Sequence, residues 1–106
     1  MKYKIIWSKF SEQQIDDIFE FYEQKSKSYD IALKIVTKIL LAPDILIENP
    51  RLGQKEILLE HREIEYRYLI ETNWKIIYSI DDEKKAVKIA DVFDCRQEPE
   101  KMEQKK

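Results

Sequence analysis

The stretch from Glu65 to Pro99, EYRYLIETNWKIIYSIDDEKKAVKIADVFDCRQEP, constrains the fold more than any other part of the chain. Two polar breaks, at Thr72-Asn73 and at Asp81 to Lys85, divide it into three apolar runs of strand length. The pattern predicts three consecutive antiparallel strands joined by tight turns, with Asn73 the residue suited to a positive φ. In the first run Ile64, Tyr66, Tyr68 and Ile70 share one alternation phase and Leu69 takes the other; in the second, Trp74, Ile76, Tyr78 and Ile80 oppose Ile77. A sheet with one wet face alternates more cleanly. Apolar side chains in both phases demand cover on both faces, and helices of this chain are expected on only one. The other face is therefore a predicted binding surface, with a partner covering Tyr66, Tyr68 and Ile77 or their opposite-phase neighbours.

The N-terminal half supplies the helices. Lys2 to Trp7 alternates as a strand, with Tyr3, Ile5 and Trp7 in one phase. Ser11 with Gln14 reads as a capping box, and Phe10 against Ile15 as the accompanying hydrophobic staple. Ile15, Ile18, Phe19 and Tyr22 then recur at helical spacing. After a polar connection, Gln24 to Ser28, a second stripe of Ala32, Ile35, Val36, Ile39 and Leu40 makes an antiparallel helix pair. Pro43 predicts a kink or restart, because proline removes a backbone donor and crowds the preceding turn. Pro50 and Gly53 end the helical region. The Ile57-Leu58-Leu59 run fits a short strand or a helical turn equally well.

A chain of 106 residues makes one domain, read here as residues 1–98 with a polar tail at 99–106, and can bury a core without a disulfide or metal. The net formal charge of −2 provides no global field for nucleic acid. Cys95 stands alone, which excludes a disulfide framework or a thiolate zinc cluster and fits a reducing cytoplasm. No apolar run reaches the length of a membrane span or signal-peptide core, and no cofactor motif is present. The expectation is a soluble cytoplasmic α+β protein: N-terminal strand, α-helical hairpin, antiparallel three-stranded meander.

This order resembles the RelE/ParE superfamily, the toxins of type II toxin-antitoxin systems. The residues that carry the resemblance are the stop Asn49-Pro50-x-x-Gly53, the segment YRYLIETNWKIIYSI, and a last strand closing in an arginine near a proline, DCRQEP. The resemblance implies a small toxin neutralised by a cognate antitoxin that folds upon it. It also implies one of two activities: ribosome-dependent mRNA endonuclease cleavage, as in the RelE-like branch, or inhibition of DNA gyrase, as in the ParE-like branch. A decayed toxin that only binds protein is the third reading, and homo-oligomerisation of the free chain is expected from its uncovered sheet face.

Cleavage by a 2′-hydroxyl needs a base, an acid and fixed positive charge at the phosphate. The strand arginine of the family falls on Lys75, which keeps the charge but lacks the bidentate fork. The basic positions of the preceding strand fall near Tyr66 and Tyr68, with Arg67 between them on the opposite phase. The late tyrosine of the RNase branch has no counterpart, and Arg96 matches the late arginine. These departures favour the gyrase inhibitor. If the chain is an RNase, Lys75, Arg67 and Arg96 supply charge and Tyr66 or Tyr68 moves the proton; as a binding protein it uses the same five residues.

Each candidate also has a structural alternative. Arg67 can pair with Glu65, Arg96 with Asp94 or Glu98, Lys75 can simply keep its face wet, and the tyrosines can be core. With a two-residue turn at Thr72-Asn73, Arg67 lies opposite Tyr78 and Tyr68 opposite Ile77, with Lys75 near Tyr68. His61 has no adjacent nucleophile or second ligand and receives no role.

Overall fold

In the computed structural model, which describes residues 2–96, a five-stranded mixed sheet carries two helices on one face. In chain order the elements are strand β1 (Lys4–Trp7), helices α1 (Lys9–Ser26) and α2 (Tyr29–Leu41), 3-10 turns at Ala42–Leu46 and Pro50–Leu52, strand β2 (Gln54–Lys55), a 3-10 turn at Ile57–Leu59, and strands β3 (Arg67–Glu71), β4 (Trp74–Asp81) and β5 (Ala86–Asp94). The spatial order is β1-β5-β4-β3-β2. β1 joins β5 in parallel, and the helix pair carries the chain from β1 at one edge of the sheet towards β2 at the other, from which β3, β4 and β5 return. The polar tail at 99–106, with Glu98, lies outside the described residues.

The helices form as the apolar periodicity requires, with two corrections at their ends. Ser8, three residues before Ser11, caps α1: its hydroxyl accepts the Ser11 N–H at 3.0 Å. Phe10 consequently sits inside the first turn, largely exposed, and makes no staple. Ser11 is buried and donates to the carbonyls of Ser8 and of Ile89 on β5. The predicted connection at 24–28 shrinks because α1 runs on to Ser26; Lys27 turns the chain at φ 57° and Ser28 caps α2 through the Ile31 N–H. Pro43 does replace the helix by a 3-10 turn.

Side chains of one face of the sheet pack on the helices. Trp74, Ile76 and Tyr78 of β4 and Val87, Ile89 and Val92 of β5 share a core with Ile15, Val36, Ile39 and Leu46. Val87 and Ile89 lie on one sequence phase and Val92 on the other. A bulge reconciles them: Ile77 pairs with Asp91 and Tyr78 with Ile89, so Ala90 is skipped and the alternation resets. Gln14, buried on α1, holds the bulge, accepting the Val92 N–H at 2.7 Å and donating to Asp91 Oδ1 at 2.5 Å.

The β3–β4 register is the expected one, with Arg67 opposite Tyr78 and Tyr68 opposite Ile77. At the hairpin, the positive φ falls on Thr72, at 57°, and not on Asn73. The second face of the sheet is not bare. Leu59 from the 3-10 turn after β2 is fully buried against Ile77 and Phe93, with Tyr66 and Tyr68 alongside. Ile77 has no exposed surface, so the expectation that a partner covers it is corrected: this chain covers it. The apolar residues left open on this side are Ile57, Leu58, Ile64 and Ile70.

Candidate functional site

Arg67, Lys75 and Arg96 do not converge. Register places Arg67 on the helix side of β3 and Lys75 on the opposite side of β4, where its neighbours in the row are Ile70 and Phe93. Arg96 stands at the end of β5. Each is already engaged.

Arg67 braces a loop. Its side chain is only 15 % exposed, and it donates to the carbonyls of Gly53 at 2.9 Å and Arg51 at 3.2 Å while pairing with Glu65 at 3.5 Å. The same loop is pinned from below by Tyr78, whose hydroxyl donates to the Pro50 carbonyl at 2.6 Å and accepts the Gly53 N–H at 3.0 Å. Burial pushes the Tyr78 phenol above its ordinary value, which holds the hydroxyl protonated as this double role requires. Gly53 is obligatory by proximity, since a β-carbon there would lie 2.7 Å from the Tyr68 carbonyl oxygen and closer still to the Tyr78 hydroxyl. The loop is clipped on its outer side by Arg51, bidentate to Asp82, which Tyr3 also donates to at 2.6 Å. The Arg51 and Tyr3 hydrogen bonds hold the Asp82 carboxyl down at about 2.

Lys75 is paired where the sequence offered no partner. Its ammonium forms an ion pair with Glu56, whose side chain is only 3 % exposed, and lies 4.2 Å from the centre of the Tyr68 ring. Glu56 belongs to the segment whose structure the sequence left open, and for that reason it escaped the sequence reading. A carboxylate just before an Ile-Leu-Leu run is the signal that was there to find. Tyr66 and Tyr68 are half-buried beside Leu59, and the Tyr68 hydroxyl donates to Gln54 at 3.0 Å.

Arg96 is the one candidate that remains open to solvent, its side chain 71 % exposed. It turns back on Asp94 with hydrogen bonds of 2.5 to 3.1 Å, and this pair holds the Asp94 carboxyl at about 2. The guanidinium rims a groove of about 410 Å³ between α1 and the ends of β4 and β5, walled by Phe21, Tyr22, Trp74 and Phe93 with Asp17 and Lys25 at its mouth. The aromatic wall combines residues of α1, β4 and β5, which only the fold brings together.

Chemically, this arrangement grips and packs. Two of the three cations are spent on buried or half-buried contacts, and the hydroxyl of Tyr68, the ring that Lys75 lies against, is committed to Gln54. Among the described residues no helix is long and apolar enough to cross a membrane.

Residues 5–99 match the family model described as ParE toxin of type II toxin-antitoxin system, parDE. No curated protein matches the chain. Among solved structures, the fold is similar to that of a chromosomal ParDE TA system from P. aeruginosa (TM-score 0.70, 17 % identity, 88 % of this chain and 96 % of that one). It is also similar to the toxin-antitoxin complex RelBE2 from Mycobacterium tuberculosis (TM-score 0.59, 18 % identity, 89 % and 92 % covered). At such identities these structures establish the fold.

Proposed function

Since the chain belongs to the ParE toxin family of type II toxin-antitoxin systems, we propose that it arrests growth by binding DNA gyrase and that a cognate antitoxin neutralises it. The observation that carries this reading is the family match over residues 5–99. The geometry supports the non-enzymatic form of it. A phosphoryl-transfer site needs its charges and its proton carriers within reach of one phosphate. Here Arg67 and Lys75 occupy opposite faces, Lys75 is neutralised by Glu56, and Arg96 lies at the strand end against Asp94. The mRNA endonuclease reading, with Lys75, Arg67, Arg96 and Tyr68 as its machinery, has no such convergence behind it. For gyrase binding the exposed assets are Arg96 and the aromatic groove it borders. The solved structures of similar fold are described as toxin-antitoxin assemblies, which supports an antitoxin partner here.

Induced expression of the chain alone in bacteria tests the reading, with growth, a DNA-damage reporter and transcript 5′ ends followed together. Arrest with the damage response and intact transcripts, relieved by co-expression of the cognate antitoxin, is the expected result. Arrest accompanied by new cleavages inside codons, without the damage response, would replace it by the endonuclease reading. Soluble protein without arrest would leave only a protein-binding module.

A further inference from the structure

On the second face of the sheet, one segment lies over strands that pair without it. Residues 56–66 leave β2 and return to β3 as a compact loop, closed by the Glu56 N–H donating to the Tyr66 carbonyl at 2.8 Å. Only two of its residues are buried, Glu56 and Leu59. Leu59 seats on Ile77 and Phe93, and Glu56 pairs with Lys75 while its second oxygen accepts the Leu58 N–H at 3.1 Å. Beneath them Tyr68, Lys75, Ile77 and Phe93 stand on β3, β4 and β5, whose ladder hydrogen bonds are made among themselves. The strand pairing beside the loop is confined to β2, two residues long, which sets Gln54 against Tyr68 and Lys55 against Arg67, and exposed Glu65 adds ion pairs to Lys55 and Arg67.

We propose that residues 56–66 form a displaceable flap, and that Glu56 and Leu59 hold a site made for a partner segment presenting an acidic side chain and, three residues on, an aliphatic one. The identity of that partner as the antitoxin rests on the toxin reading; the exchange itself does not. What already sits in the site defines the occupant's chemistry. An ammonium stacked on a tyrosine ring takes a carboxylate, and the pocket between Ile77 and Phe93 takes a branched aliphatic side chain. Removing one member of a buried ion pair without replacement is strongly unfavourable, whereas substituting one carboxylate for another is close to balanced. The site therefore resists opening in the free chain and yields to a segment that brings its own acid. Displacing the flap would add its outward residues Ile57, Leu58 and Ile64 to whatever surface the partner covers.

The probe is a synthetic peptide with the sequence of residues 55–66, KEILLEHREIEY, titrated onto the isotopically labelled full chain. Wild type, Glu56→Gln and Leu59→Ala chains are compared by side-chain NMR signals of Lys75, Ile77 and Phe93. Weakening the internal occupant raises the fraction of open sites, so both variants should bind the peptide about tenfold or more tightly than wild type. A peptide with glutamine at the Glu56 position should lose most of that affinity. Absence of shifts at Lys75, Ile77 and Phe93 in both variants, or equal affinity for the two peptides, overturns the proposal. Peptide exchange in a chain that does not arrest growth would leave the flap standing and remove the toxin reading instead.

Discussion

Replacing Tyr78 by phenylalanine removes one oxygen and should cost this fold dearly. The side chain is fully buried, and its hydroxyl is shared between the Pro50 carbonyl at 2.6 Å and the Gly53 N–H at 3.0 Å. Both partners belong to buried residues, so water does not replace the lost oxygen. An unsatisfied buried donor or acceptor costs about 1–3 kcal/mol. The carbonyl, with two lone pairs, falls at the low end, and the phenylalanine ring escapes the desolvation of the hydroxyl. A net loss of about 2 kcal/mol follows, which for a domain of this size lowers Tm by about 8–16 °C. Urea denaturation followed by fluorescence of the buried Trp74 should show the midpoint falling by about 1 M at unchanged slope. The alkaline limb provides a second reading. The folded-state pKa of Tyr78 is raised above the ordinary 10.0, chiefly by burial. Its contribution to stability is therefore complete below pH 10 and is lost as pH rises through the folded-state pKa, and Tyr78→Phe should flatten that decline. A variant within 0.5 kcal/mol of wild type, with an unchanged alkaline limb, would refute the claim that this hydroxyl locks the loop at 50–53.

Lys75→Met should destabilise by about 3 kcal/mol, because it strands the buried Glu56 carboxylate, and adding Glu56→Gln should restore most of that loss in a double-mutant cycle. Thr72→Asn should stabilise by about 0.5–1 kcal/mol in thermal unfolding, since a β-branched residue is strained at φ 57° and asparagine is not. Asp82 and Asp94 both have pKa values lowered from 3.8 to about 2. The stability they provide is present above pH 3.8 and lost as pH falls through about 2, so acid unfolding should shallow in Asp82→Asn and Asp94→Asn, and the difference should shrink in high salt.

The element order was legible because each half carries a strong periodicity: Ile15, Ile18, Phe19 and Tyr22 recur at 3.6, and Tyr66, Tyr68 and Ile70 at 2. The β3–β4 register could be read from the turn alone. Helix ends were less secure, since Ser8 and Ser11 are both good caps and only the packing of Ser11 on Ile89 decides between them. The doubled apolar phase was misread in origin. Leu69 packs on the helix-side core, and Ile77, on the other face, is covered by Leu59 from a segment with no periodic signal. For the same reason Glu56 went unseen, and the engagement of Lys75 with it. Whether two charges meet across a loop and a strand is a tertiary fact, whereas Arg96 with Asp94 is local and was readable.

The most direct test of the central claim is DNA supercoiling by purified gyrase in the presence of this purified chain. Dose-dependent inhibition, abolished by prior mixing with the cognate antitoxin and weakened by Arg96→Ala in a chain that stays folded, is the predicted result. Undiminished supercoiling with excess folded chain, beside codon-specific cleavage of mRNA on translating ribosomes, would contradict it.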